Sequence, residues 1–183
     1  NVSTLGLFTP SKFGNNYGSL TFYFDNMPNE ALMKSTAGHE LFHLVQALYD
    51  SRWAYTKAVW PGPFYWFDEA TATWFEEVMA GEGYESITRK ENDIQPLRGI
   101  YKGPKDNAQN YGYGMSAFVK LLVSQTDMTI LSKMYQEVLN GAEDPVKVID
   151  GLAPQSVSET YPYFLEQYIA KKIYPDFVPL HLL

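Results

Sequence analysis

The chain contains no cysteine. That removes disulfides and thiolate ligands together, so any metal held here must use imidazole and carboxylate groups. Histidine is scarce as well, with three in 183 residues, which makes the position of each informative. No apolar run approaches the roughly 20 residues needed to span a bilayer. Lysine and arginine form no cluster and the net charge is −7, so nucleic acid and anionic membranes are poor partners. Repeats and low-complexity runs are missing too. With 45% hydrophobic and 19% charged residues, the composition is that of a globular chain, not a disordered one. The length fits a single domain over 1–183 with a substantial core.

Aromatic residues are abundant at 16%, which suits a domain with a lined cleft. The first residue is Asn1 and no signal-like segment follows it. The expectation is therefore a processed, extracellular or cell-surface protein, or a domain of a longer one. Asn1-Val2-Ser3 matches a glycosylation sequon, to which a terminal position gives little weight.

Two of the three histidines fall in Gly38-His39-Glu40-Leu41-Phe42-His43, an H-E-x-x-H sequence. The segment reads as a helix. Pro28-Asn29 supplies a start, Glu30 puts negative charge in the first turn, and no proline follows as far as Leu48. Leu41, Phe42, Leu44, Val45 and Leu48 give an apolar stripe at helical spacing. On a helix His39 and His43 sit one above the other, and two imidazoles one turn apart can both reach a zinc ion at about 2.0–2.1 Å. Glu40, one residue round, is placed to hold a metal-bound water. Gly38 costs roughly 1 kcal/mol against alanine in a helix, so its presence suggests close packing.

The remainder reads as an α+β, predominantly helical domain. Residues 1–18 read as loop or a strand remnant, and Ser19 to Phe24 alternates like a strand, giving a strand region over 1–28. The candidate metal-site helices occupy 29–81. Between them, the aromatic stretch around Pro61-Gly62-Pro63 reads as packing under a loop, with a pocket wall as the alternative. Asp68 is placed to cap the second helix, with Glu69 at its start and Gly81 and Gly83 at its end. Residues 81–110 read as a long polar excursion. Helices follow at Tyr111–Ser124, Asp127–Asn140 with Gly141 as terminator, Pro145–Ile149 and Thr160–Lys172, forming a C-terminal helical part over 110–175. In the last of these, Tyr161, Phe164, Leu165, Tyr168 and Ile169 form the expected buried face.

A catalytic zinc site commonly has three protein ligands and one water. Without cysteine, and with His181 in the C-terminal tail, the third ligand should be a carboxylate. Glu69 is the best candidate, since a return loop lets its helix pack against the first. Glu76 and Glu77 compete but sit deeper in that helix and look solvent-facing.

His39-Glu40-Leu41-Phe42-His43 followed by Phe67-Asp68-Glu69-Ala70-Thr71-Ala72 resembles the gluzincin group of zinc metallopeptidases, in the peptidase MA superfamily. The resemblance covers roughly Ser19 to Ser124. It implies a zincin-like fold, Zn²⁺ held by His39, His43 and Glu69, Glu40 as general base, and a peptide or protein substrate. Tyr111-Gly112-Tyr113-Gly114 is similar to the helix start whose tyrosine steadies the oxyanion in aminopeptidase-type members. Counting as Tyr-x-x-Gly selects Tyr111, which the following apolar spacing favours, and reading Tyr-Gly selects Tyr113. The chain departs from thermolysin-like enzymes, which place an aspartate four residues after the ligand glutamate; here that position is Thr73. No exopeptidase sequence precedes the helix. Two rival readings stand beside the peptidase: a non-catalytic binding or adhesion module on the same scaffold, and a zinc hydrolase of a non-peptide substrate.

Overall fold

The computed structural model describes residues 4–10, 18–50, 62–81, 83–100 and 107–177. These form a mostly helical chain with one small sheet. The strands are β1 (Gly6–Pro10) and β2 (Gly18–Phe22), antiparallel with Gly6 opposite Phe22 and Pro10 opposite Gly18. The helices are α1 (Glu30–Tyr49), α2 (Tyr65–Ala80), α3 (Ile87–Glu91), α4 (Ala108–Gln125), α5 (Thr129–Leu139), α6 (Pro145–Leu152) and α7 (Val157–Ile169). Single 3₁₀ turns lie at Phe24–Asn26 and Gln95–Arg98. The sequon, His181, Trp53 and Trp60 lie outside the described residues.

α1 begins where expected, with the Asn29 side chain accepting the Leu32 N–H at 2.9 Å. The side it buries is not the expected one. Ser35, Thr36, His39, Glu40, His43 and Gln46 are buried, whereas Leu41, Val45 and Leu48 are exposed. Polar groups face inward only where partners offset their desolvation, so this inverted face marks the site before any ligand is considered.

α2 is the helix around which the others are arranged, with α1 against it on one side and α4 on the other. It begins at Tyr65, so Asp68 is not its cap but a buried residue of its first turn. Enclosure from both sides explains why every residue from Trp66 to Trp74 is buried. The approach of α4 depends on Gly112. A Cβ there would meet the Trp66 carbonyl oxygen and lie 2.6 Å from the Glu69 Cβ. Gly38 lets α1 close on Met79 of α2, the tight packing its sequence position suggested.

Residues 83–100, a described part of the expected polar excursion, are more regular than expected. Ser86 caps α3 by accepting the Arg89 N–H at 3.2 Å, and the Gln95–Arg98 turn follows. β1 lies in the segment that reads as loop or a strand remnant, and its pairing with β2 supplies the hydrogen bonds its own glycine and proline content does not advertise. Gly141 ends α5 with φ of 96°. α7 starts with a capping box between Ser156 and Glu159 and buries Tyr161, Phe164 and Tyr168, leaving Ile169 exposed. One apolar core, including Phe67, Met115, Phe118, Met134, Ile149 and Phe164, runs from α2 to the residues after α7.

Candidate metal centre

His39 and His43 are on the inner face of α1, and Glu69 is on the first turns of α2 where that face meets it. The three side chains are buried and bring one ligand atom each to a common point. His39 Nε2 and His43 Nε2 are 3.0 Å apart, and Glu69 Oε2 lies 3.5 Å from the first and 3.7 Å from the second. A circle through three points at those separations has a radius of about 2 Å, the bond length of zinc to nitrogen and carboxylate oxygen. The described residues thus form a cluster sized for one small divalent cation.

The outer nitrogens are held as firmly as the inner ones. His39 Nδ1 lies 2.8 Å from Glu76 Oε1, and the Ser86 hydroxyl donates to the other Glu76 oxygen at 2.7 Å. His43 Nδ1 lies 2.7 Å from Gln46 Oε1. A carboxylate oxygen is an acceptor, so His39 keeps a proton on Nδ1, and it is with a cation bound that its Nε2 lone pair would face inward. Burial alone would lower the His39 pKa. Hydrogen bonds and negative charge from Glu69 and Glu76 outweigh it and lift the imidazole to about 10. The carboxylates draw positive charge to this point.

Glu76 corrects the expectation that it and Glu77 face solvent. Two turns after Glu69, Glu76 shares its side of α2 and is buried against His39. Glu77 turns to the opposite side, accepting from Lys120 Nζ at 2.9 Å and from the Tyr174 hydroxyl at 2.6 Å. The i,i+7 spacing from Glu69 was the available signal for Glu76. For Gln46 it was the i,i+3 spacing from His43.

Glu40 stands beside the cluster but is not one of its three donors. Its Oε2 accepts the Phe8 N–H at 2.6 Å. That N–H points away from β2, whereas Leu5, just before β1, accepts the Tyr23 N–H next to β2. The second edge of β1 therefore faces the cleft, and it can come this close because Gly6 has no side chain. A Cβ there would lie 2.8 Å from both Glu40 Cγ and Thr36 Cγ2.

The tyrosines divide in the reverse of the favoured order. Gly112 faces α2, so Tyr111 and Tyr113 flank it on opposite sides. Tyr111 is buried edge-on to Trp66 and donates to the Gly99 carbonyl at 2.8 Å, away from the cleft. Tyr113 lines the cleft with its ring 6.1 Å from that of His39 and accepts from Gln109 at 2.5 Å. Burial, reinforced by the charge of Glu69, pushes the Tyr113 hydroxyl well up, so it remains a proton donor. Tyr65 is raised for the same reasons and donates toward Glu69.

Comparison with family models, curated proteins and solved structures gives no match. The chemistry of the chain must therefore be read from this site.

Proposed function

We propose that the chain is a metal-dependent peptidase of the gluzincin kind, with Zn²⁺ held by His39, His43 and Glu69. The observation that carries the reading is the convergence of three buried electron-pair donors on a point about 2 Å from each. The outer nitrogens are already engaged, His39 Nδ1 by Glu76 and His43 Nδ1 by Gln46, which leaves the two Nε2 atoms for the ion.

Bound there, such an ion supplies Lewis acidity, polarising a carbonyl and acidifying water. The remaining work belongs to the chain. Glu40, held by the Phe8 N–H, takes the proton from the attacking water and passes it to the leaving amine. Tyr113, kept protonated, donates to the carbonyl oxygen as charge develops on it. The edge of β1 turned away from β2 supports an extended peptide as substrate, because main-chain groups along the cleft beside Phe8 can pair with a strand laid there. In this reading the edge role falls to β1 and not to β2. No described helix is long and apolar enough to cross a membrane.

The test is metal analysis combined with a peptide library. One metal per chain and cleavage that Glu40→Gln abolishes would support the peptidase. One metal per chain with no cleavage of any peptide would favour the binding module instead.

A further inference from the structure

Gln46 is fully buried on α1, one turn after His43. Its Nε2 lies 2.8 Å from the Asp68 carbonyl oxygen, 2.9 Å from Thr71 Oγ1 and 3.0 Å from the Tyr135 hydroxyl. The Asp68 carbonyl can only accept, so the amide nitrogen must face it. Tyr135 spends its own proton on Asp68 Oδ1 at 3.1 Å, leaving its oxygen as an acceptor as well. Turning the amide over would set oxygen against oxygen at the Asp68 carbonyl. Gln46 Oε1 is thereby fixed on His43 Nδ1 at 2.7 Å, and an amide oxygen cannot donate. His43 must carry its proton on Nδ1.

We infer that Gln46 is a positioning residue for the metal centre, a neutral clamp that fixes the Nδ1–H tautomer of His43 and aims its Nε2 lone pair at the cluster. The inference rests on the metal-site reading above. The clamp reaches further than one ring, because Thr71, Asp68 and Tyr135 tie Gln46 to α2 and α5. His39 has an anionic partner in Glu76 and His43 a neutral one, so the two imidazoles are inequivalent ligands. A second carboxylate at position 46 would stand against the Asp68 carbonyl oxygen, which accounts for an amide there. Partners of this kind contribute about 10–100-fold to metal affinity.

The experiment compares wild type, Gln46→Leu, Gln46→Glu and Tyr135→Phe as folded proteins. Affinity is read with Co²⁺ and Zn²⁺ by competition against a chromophoric chelator. The Co²⁺ absorption spectrum and the His43 ring ¹⁵N and N–H signals are recorded for each. In the metal-loaded wild type, His43 should show a slowly exchanging proton on Nδ1. Gln46→Leu should lose that protection, alter the Co²⁺ spectrum and weaken binding about 10–100-fold. Gln46→Glu, which can still accept from His43 through one oxygen and, protonated on the other, donate to the Asp68 carbonyl, should recover most of the affinity. Tyr135→Phe, which leaves Oε1 in place, should stay within a few-fold of wild type. If Gln46→Leu does not fold, a Gln46→Glu protein with wild-type spectrum and protected Nδ1–H sustains the inference, and one without them overturns it. A folded Gln46→Leu with wild-type affinity and spectrum also overturns it. A wild type that takes up neither metal defeats the underlying metal-site reading instead, and is recognised by having no affinity for any variant to lose.

Discussion

Glu76 and Glu69 are both acidic, both buried and on one side of α2, yet they do different work. Glu69 supplies an oxygen to the cluster, so Glu69→Gln removes a donor and its charge, and metal binding should fall steeply. Glu76 acts through His39, so Glu76→Gln should weaken metal binding by a smaller factor, about 10–100-fold. Parallel metal titrations of the two variants check the order, and equal retention by both would remove each from its assigned place. The tyrosines separate on kinetics. Tyr113→Phe should cost on the order of 3 kcal/mol in the transition state with KM nearly unchanged. Tyr111→Phe leaves the Gly99 carbonyl without its donor and should cost about 1 kcal/mol of stability while sparing turnover. Steady-state kinetics and thermal melts on both proteins read this directly, and the reverse pattern would return the role to Tyr111.

At the scale of elements, the position of β1 against α1 is set by a missing side chain. Gly6→Val should push β1 away from Glu40 and Thr36, lowering turnover while metal binding persists, since no metal donor is touched. Loss of the metal in that variant would show that β1 supports the cluster itself. The elements also show what the sequence could disclose. The His39–His43 spacing is legible because four residues on a helix always share a face, and Glu69 follows once a carboxylate is required on a second helix. The buried face of α1 is not legible from hydrophobic periodicity, which assumes that apolar residues turn inward. Here His39, Glu40, His43 and Gln46 occupy the inner face and displace Leu41, Val45 and Leu48 outward. The choice between Tyr111 and Tyr113 depends on the rotation of α4, which the Gly112 contact with α2 decides and local sequence does not. β1 is half legible, as loop or strand remnant, because five residues bounded by glycine and proline acquire their strand character from β2.

For the molecule as a whole, the buried polar face of α1 and the apolar core from α2 onward meet along α2. A ligand seated where they meet should stabilise the entire fold by mass action. At a free metal concentration 100 times Kd the gain is about 2.7 kcal/mol, which for a domain of this size corresponds to a rise in Tm of roughly 5–10 °C. The measurement that bears most directly on the centre is a Co²⁺ titration of metal-free wild type alongside Glu69→Gln, followed by absorption. The expected result is one ion per chain with the intense spectrum of a four-coordinate site in the wild type, and a much weaker, altered signal in the variant. Binding that is absent from the wild type, or identical in the two proteins, would contradict a metal centre built from His39, His43 and Glu69.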